Sequence, residues 1–126
     1  MKLLTVRDEI VTNLVDNWTI EDVQLLLPNL TTLETNLPSQ YTQVDIVYGT
    51  EVDKITNGTV MFQIGVELDS GDTKCLEILD HLKQTFADKI FDNFWTNVLI
   101  QESKPQVKKS IFFMEVEVLF YFRSSC

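Results

Sequence analysis

The sequence predicts an α+β domain in the order α-β-β-α-β-β. The expected sheet is antiparallel and four-stranded (or slightly larger), with two main helices on one face. Three patterns predict it. Ile111 to Arg123 alternates as one long strand. Two segments, Leu3 to Trp18 and Cys75 to Ile90, repeat apolar residues at helical spacing. Between them lie two more alternating segments joined by a turn signal.

The closing strand is the most informative. Its even positions (Phe112, Met114, Val116, Val118, Phe120, Phe122) are all apolar, so this set must bury, most simply against helices of the same chain. The odd face mixes Glu115, Glu117 and Arg123 with Ile111, Phe113, Leu119 and Tyr121. That face is too apolar for ordinary solvent and too charged for a core. Such faces are more often covered by another subunit than left bare.

From the N-terminus, Leu3, Val6, Ile10, Leu14 and Trp18 form one stripe, widened by Val11 and Val15, with Thr5 as N-cap and Asp8 in the first turn. Thr19 to Leu27 reads as a short second helix ended by Pro28. Residues 28 to 40, with two prolines, form a loop. Val44, Ile46 and Tyr48 share a face of a strand from Gln43 to Tyr48. Asn57-Gly58 is the strongest hairpin signal in the chain. The return strand, Thr59 to Leu68, points Val60, Phe62, Ile64, Val66 and Leu68 inward. Residues 50 to 56 fit either strand or loop. Ser70-Gly71-Asp72-Thr73 feeds a helix whose buried face is Cys75, Leu79, Leu82, Phe86 and Ile90, with Leu76 and Ile78 beside it. Phe94 to Gln101 is a third strand, and a loop at 102 to 109 turns the chain into the closing one.

At 126 residues the chain suits one domain, 1–126, able to bury a core without staples. No run is long enough for a signal peptide or a membrane span, so sequons starting at Asn17, Asn29 and Asn57 are chance matches. Cys75 and Cys126 have no metal-type spacing and suggest reduced thiols in a cytoplasmic setting, rather than a Cys75–Cys126 disulfide. The net charge of −9 argues against a binder of phosphate backbones. From Asp8 through Asp53 there are acids and no Lys or Arg, while Lys104, Lys108 and Lys109 cluster around Pro105. Either these are solvated surfaces, or they are complementary patches that meet between copies.

Chemistry is sparse. His81, the only histidine, reads as a solvent-exposed helix residue without catalytic partners. Glu67, Glu115 and Glu117, with Asp45 nearby, can cluster on the outward sheet face. A divalent metal or an acid/base pair is one reading; a charged assembly surface is another. The aromatic residues sit among acids rather than in a basic groove, and no Gly-rich phosphate loop is present.

The whole order of elements resembles the small tail-terminator (tail-completion) proteins of long-tailed bacteriophages. The likeness runs through the N-terminal helix, Leu27-Pro28-Asn29, Val44-Asp45-Ile46-Val47-Tyr48, and Gly58-Thr59-Val60-Met61-Phe62-Gln63-Ile64-Gly65-Val66. It continues through the helix bearing Leu79, Leu82 and Phe86 and the closing strand Phe112 to Phe122. It implies a non-enzymatic structural protein without cofactor, located at the tail end of a virion and made in the host cytoplasm. Its implied partners are copies of itself in a ring, commonly a hexamer, the tail tube protein and the head-tail connector protein. DNA would pass through without specific binding, and no membrane is involved. In such a ring Lys104, Lys108 and Lys109 are candidate subunit-interface residues, meeting a neighbour's acidic half head-to-tail. Glu67, Glu115 and Glu117 are candidate channel-facing residues that would repel a passing polyanion. The alternative is a small-molecule-binding or catalytic α+β domain with a pocket between helix and curved sheet.

Overall fold

Two strands of thirteen residues each, β3 (Ile55–Glu67) and β6 (Ile111–Arg123), pair antiparallel along their whole length and form the middle of the sheet. They belong to a computed structural model that describes residues 2–27, 39–68, 72–102, 106–108 and 111–123. The remaining elements are α1 (Lys2–Asn17), β1 (Gln24–Leu26), β2 (Tyr41–Val52), α2 (Thr73–Phe86), β4 (Trp95–Glu102) and β5 (Gln106–Lys108). Among the described residues the fold is α+β, with two helices and a mixed six-stranded sheet in the order β1-β2-β3-β6-β4. β5 pairs with the first residues of β6, on the edge that β4 occupies further along.

Burial follows the alternation of β6. Met114, Val116, Val118, Phe120 and Phe122 are buried at 1% exposure or less. They meet Val60, Phe62, Ile64 and Val66 of β3, Val6, Ile10 and Leu14 of α1, and Cys75, Ile78, Leu79, Leu82 and Phe86 of α2. The helices therefore cover one face of the sheet and, among the described residues, leave the other open.

The expected four-stranded antiparallel sheet is corrected in two places. Thr19 to Leu27 is a turn followed by β1, which runs parallel to β2 from Gln24↔Tyr41 to Leu26↔Gln43. So short a segment cannot repay helix nucleation, whereas burying Ile20, Val23 and Leu26 at 5% exposure or less rewards the extended form. Gln40 holds it in place. Its backbone carbonyl accepts Gln24 N–H (3.0 Å), and its Nε2 donates to Asp22 O (3.1 Å) and Oδ2 (3.3 Å). Its Oε1 accepts Glu67 N–H at 3.3 Å. The second correction is β5, a strand inside the expected loop 102 to 109.

The β2–β3 turn lies at Asp53-Lys54, with φ of 52° and 68°, not at Asn57-Gly58. Two left-handed residues make the tight turn whose twist matches paired strands. Gly58 lies instead within β3, between Tyr48 and Phe120. A Cβ there would collide with the Phe120 ring, 2.7 Å from Cε1, and with Val47 O at 2.8 Å. Its glycine signal is one of packing. The register slips by one residue between Tyr48 and Glu51, so strand pairing continues through 50 to 56 to the turn.

Three smaller expectations also shift. α1 begins at Lys2, which places Thr5 inside the helix rather than at its cap. Leu3 is 40% exposed and outside the buried stripe. α2 ends at Phe86, and Ile90 is 91% exposed on the following loop. That loop pairs back on β4 through Asp88 N–H to Asn97 O and Thr96 N–H to Lys89 O, both 2.9 Å. The Thr96 hydroxyl donates to Phe86 O and accepts Lys89 N–H (3.0 Å). Glu9 on α1 accepts both Asn93 N–H (2.9 Å) and Asn93 Nδ2 (3.2 Å).

Gly58→Ala should lower the unfolding free energy by about 1–3 kcal/mol, as overpacking of a filled core does. Urea denaturation of the variant checks this, and an unchanged midpoint would remove the close Gly58–Phe120 contact from the core.

Candidate functional site

The open face of the sheet is the part of the molecule whose composition solvent alone does not explain. Strand pairing arranges it in rows. Tyr41, Gly65 and Phe113 form one, and Gln43, Gln63 and Glu115 the next. Asp45, Met61 and Glu117 follow, then Val47, Thr59 and Leu119. Trp95 of β4 lies opposite Tyr121 and stacks on it, ring centroids 6.0 Å apart. Ile90 bridges to Trp95 from the other side, so the exposed isoleucine continues this apolar row at the sheet's edge.

The face therefore has an acidic middle and an aromatic corner. Asp45 and Glu115 are exposed, and Glu117 is half-buried beside Met61. A depression of about 70 Å³ is lined by Gln43, Asp45, Met61 and Gln63. This is well below the roughly 300 Å³ at which small-molecule sites begin. At the far end the Tyr41 ring lies on Gly65, where a Cβ would stand 2.5 Å from Cε1. Glycine lets the tyrosine fold flat over β3, which leaves Tyr41 only 7% exposed.

Of the expected acidic set, Glu115 and Glu117 stand two residues apart on β6, and Asp45 shares the row of Glu117 two strands away, with Met61 between them. Glu67 shares the face but lies opposite Ile111, four residues along β3 from Gln63, or about 13 Å. Among the described residues no group of three or more His, Cys, Asp or Glu is arranged to hold a metal ion. Of the basic candidates, Lys104 and Lys109 lie outside the described residues. Lys108 ends β5 opposite Ile111, which places its backbone in the same row as Glu67.

The acid-only first half does not form one patch. Asp8, Glu9 and Asp16 are on α1, on the helical side, whereas Asp45 is on the open face. Several acids of this half already have partners within the chain, among them Asp8, which pairs with Arg7 at 3.3 Å. Glu9 holds Asn93, and Asp22 pairs with Lys74 at 3.1 Å. The Lys74 hydrogen bond holds the Asp22 carboxyl below its ordinary value and raises the lysine in return.

His81 corrects its expectation of exposure. It is half-buried under Trp18, with ring centroids 5.2 Å apart and planes at 90°, and its Nε2 is buried. Cys75 is a free, buried thiol pushed up to about 11 by burial, which makes it a poor nucleophile. Cys126 lies outside the described residues. The space between helices and sheet holds Phe62, Phe86, Phe94 and Phe120, none above 2% exposed, where the alternative reading needs a pocket.

The Trp95–Tyr121 stack and its extension to Ile90 escaped the sequence reading. Tyr121 was visible as an outward residue, but nothing local reveals that an irregular β4 sets Trp95 beside it. No helix among the described residues is long and apolar enough to cross a membrane.

With this geometry in view, the chain can be set beside known proteins. No protein-family model matches the sequence, and no curated protein is similar to it. A solved structure, of a protein designated only by a sequence number, superposes with a TM-score of 0.65. The alignment covers 95% of this chain and 97% of that one at 8% identity. The fold is shared. At this identity the likeness carries nothing about activity or partners.

Glu115 and Glu117 are outside the buried set, so replacing both with Lys should change stability by under about 1 kcal/mol. The variant should gain DNA binding at low salt that weakens steeply as salt rises. Thermal unfolding and electrophoretic mobility of a DNA fragment measure the two effects. A variant that folds normally and still ignores DNA would mean that these two carboxylates do not set the charge of the face.

Proposed function

We propose that this chain is a structural virion protein: a tail terminator of a long-tailed bacteriophage, forming a ring that caps the tail tube and joins it to the head connector. The observation that carries the reading is the open sheet face, which combines half-buried apolar groups with Asp45, Glu115 and Glu117. A sheet covered by helices on one side and left open on the other suits a subunit whose remaining surface is completed by assembly. The family resemblance of the sequence supplies the kind of assembly, a ring that is commonly a hexamer.

In this reading the protein is not an enzyme and needs no cofactor. Carboxylates facing the central channel keep the passing genome from adsorbing, since binding a phosphate backbone requires cations. Glu115 and Glu117 stand closest together for that role, with Glu67 further along the same face. The tail tube protein and the head-tail connector protein are the partners on either side of the ring. The protein is made in the host cytoplasm and ends in the virion, with no membrane step.

Sizing and negative-stain imaging of purified protein, with and without tail tubes, test the proposal. Closed rings, free or seated on tube ends, are the expected result. A protein that stays monomeric at every concentration and leaves tube ends bare would overturn it.

A second test addresses how the ring closes. Reversing Lys104, Lys108 and Lys109 together to Glu should weaken the oligomer while the subunit stays folded. Single exposed ion pairs contribute under about 1 kcal/mol each, so only the combined change is informative. Analytical ultracentrifugation at low and moderate salt reads the outcome, and an unaltered oligomer would rule out the lysine contact.

A further inference from the structure

Trp18 lies just beyond α1 and connects three parts of the fold. Its ring meets the His81 imidazole of α2 edge-on, and its Nε1 donates to Val23 O at 3.2 Å. Val23 and Ile20 are core residues of the turn that leads into β1. The indole thus ties the end of α1 and the start of β1 to α2.

His81 Nε2 is buried with no hydrogen-bond partner among the described residues. A neutral imidazole tolerates this, because one nitrogen carries no proton. An imidazolium does not, since both nitrogens become donors and the charge itself loses its hydration. Among the described side chains, the charged ones on the surrounding elements are Lys74, Glu77, Asp80 and Lys83 on α2, Arg7, Asp8, Glu9 and Asp16 on α1, and Glu21 and Asp22 on the turn. Asp22 and Glu77 are both engaged by Lys74, at 3.1 and 3.2 Å. No ion pair joins His81 to a carboxylate among the described residues.

We propose that the Trp18–His81 contact is a proton-operated latch: protonation of His81 parts the indole from α2 and releases the 18–26 segment, with β1, from the edge of β2. Burial lowers the histidine's pKa in the closed form, and only the Asn17 backbone pulls the other way. The open form, with the ring in water, titrates near the ordinary 6.5. The latch is therefore fully closed above that value and loses its advantage as pH falls through it toward the lowered one. Opening rises by up to about tenfold per pH unit across that window. It uncovers the backbone of Tyr41 to Gln43, the part of β2 that β1 pairs with.

His81 is the only histidine, so its ring resonance in an NMR pH titration is unambiguous. The expected midpoint lies below 6.5. Hydrogen exchange at the Gln24–Leu26 amides should show acid opening that is absent in His81→Phe, which keeps a ring beneath Trp18 but cannot be protonated. A midpoint at or above 6.5, or the same acid opening in both proteins, would overturn the latch. If the Phe variant does not fold, the wild-type protein decides alone. Acid opening confined to Gln24–Leu26 supports the latch, and equal opening of β1 and of the β3–β6 pair removes it.

Discussion

Everything in this fold depends on the register between β3 and β6. Thirteen consecutive residue pairs, from Ile55↔Arg123 to Glu67↔Ile111, fix which side chains face the helices and which face outward. A slip of one residue would turn Phe120 and Phe122 into solvent and drive Glu115 and Glu117 into the core. Gly58 helps to pin the register, because only there does β3 leave room for the Phe120 ring. The T-shaped contact of Phe120 with Tyr48 and with Phe94 then locates β2 and the start of β4 around the same ring.

The two faces of the sheet follow from that alignment and obey different rules. The inner face is filled by apolar side chains from both helices and contains no carboxylate among its buried residues. The outer face carries charge in its middle and aromatic surface at one corner. Like charges on neighbouring strand positions are mildly unfavourable, and stability alone would not select them. The assembly role proposed for this face would account for their presence without requiring any chemistry from them. The same division accounts for the scattered acids of the first half, some of which serve the fold. Glu9 does so most clearly, by holding the Asn93 turn against α1.

Long-period patterns were legible in the sequence because periodicity reports burial directly. β6, α2 as far as Phe86, and the stripe of α1 from Val6 to Leu14 are where alternation or helical spacing placed them. What was hidden depended on partners distant in sequence. β1 takes its extended form from Gln40 and the β2 edge, which local propensity cannot see. Asn57-Gly58 carried a hairpin signal, yet the glycine answers to Phe120, and Asp53-Lys54 turns the chain without any glycine. For the candidate site, the outward direction of Glu115, Glu117 and Glu67 was readable from parity. Their spacing was not, since it needed the strand register, and the Trp95–Tyr121 corner needed the irregular pairing of β4.

The strand order has a consequence for how the molecule is made. β6 comes after every other strand in the sequence, yet it lies between β3 and β4 in the sheet. During synthesis β1, β2 and β3 can pair as soon as they emerge, but β3 then presents a bare inner edge, and β4 has no neighbour to join. Until β6 inserts, the apolar faces of both helices lack most of the surface that covers them. The nascent chain therefore holds an open strand edge and an uncovered core at the same time, the combination that invites pairing between chains. Closure of the sheet is a late, long-range event, and such topologies fold slowly. A truncation that removed β6 would not trim an edge from this sheet; it would take out its centre.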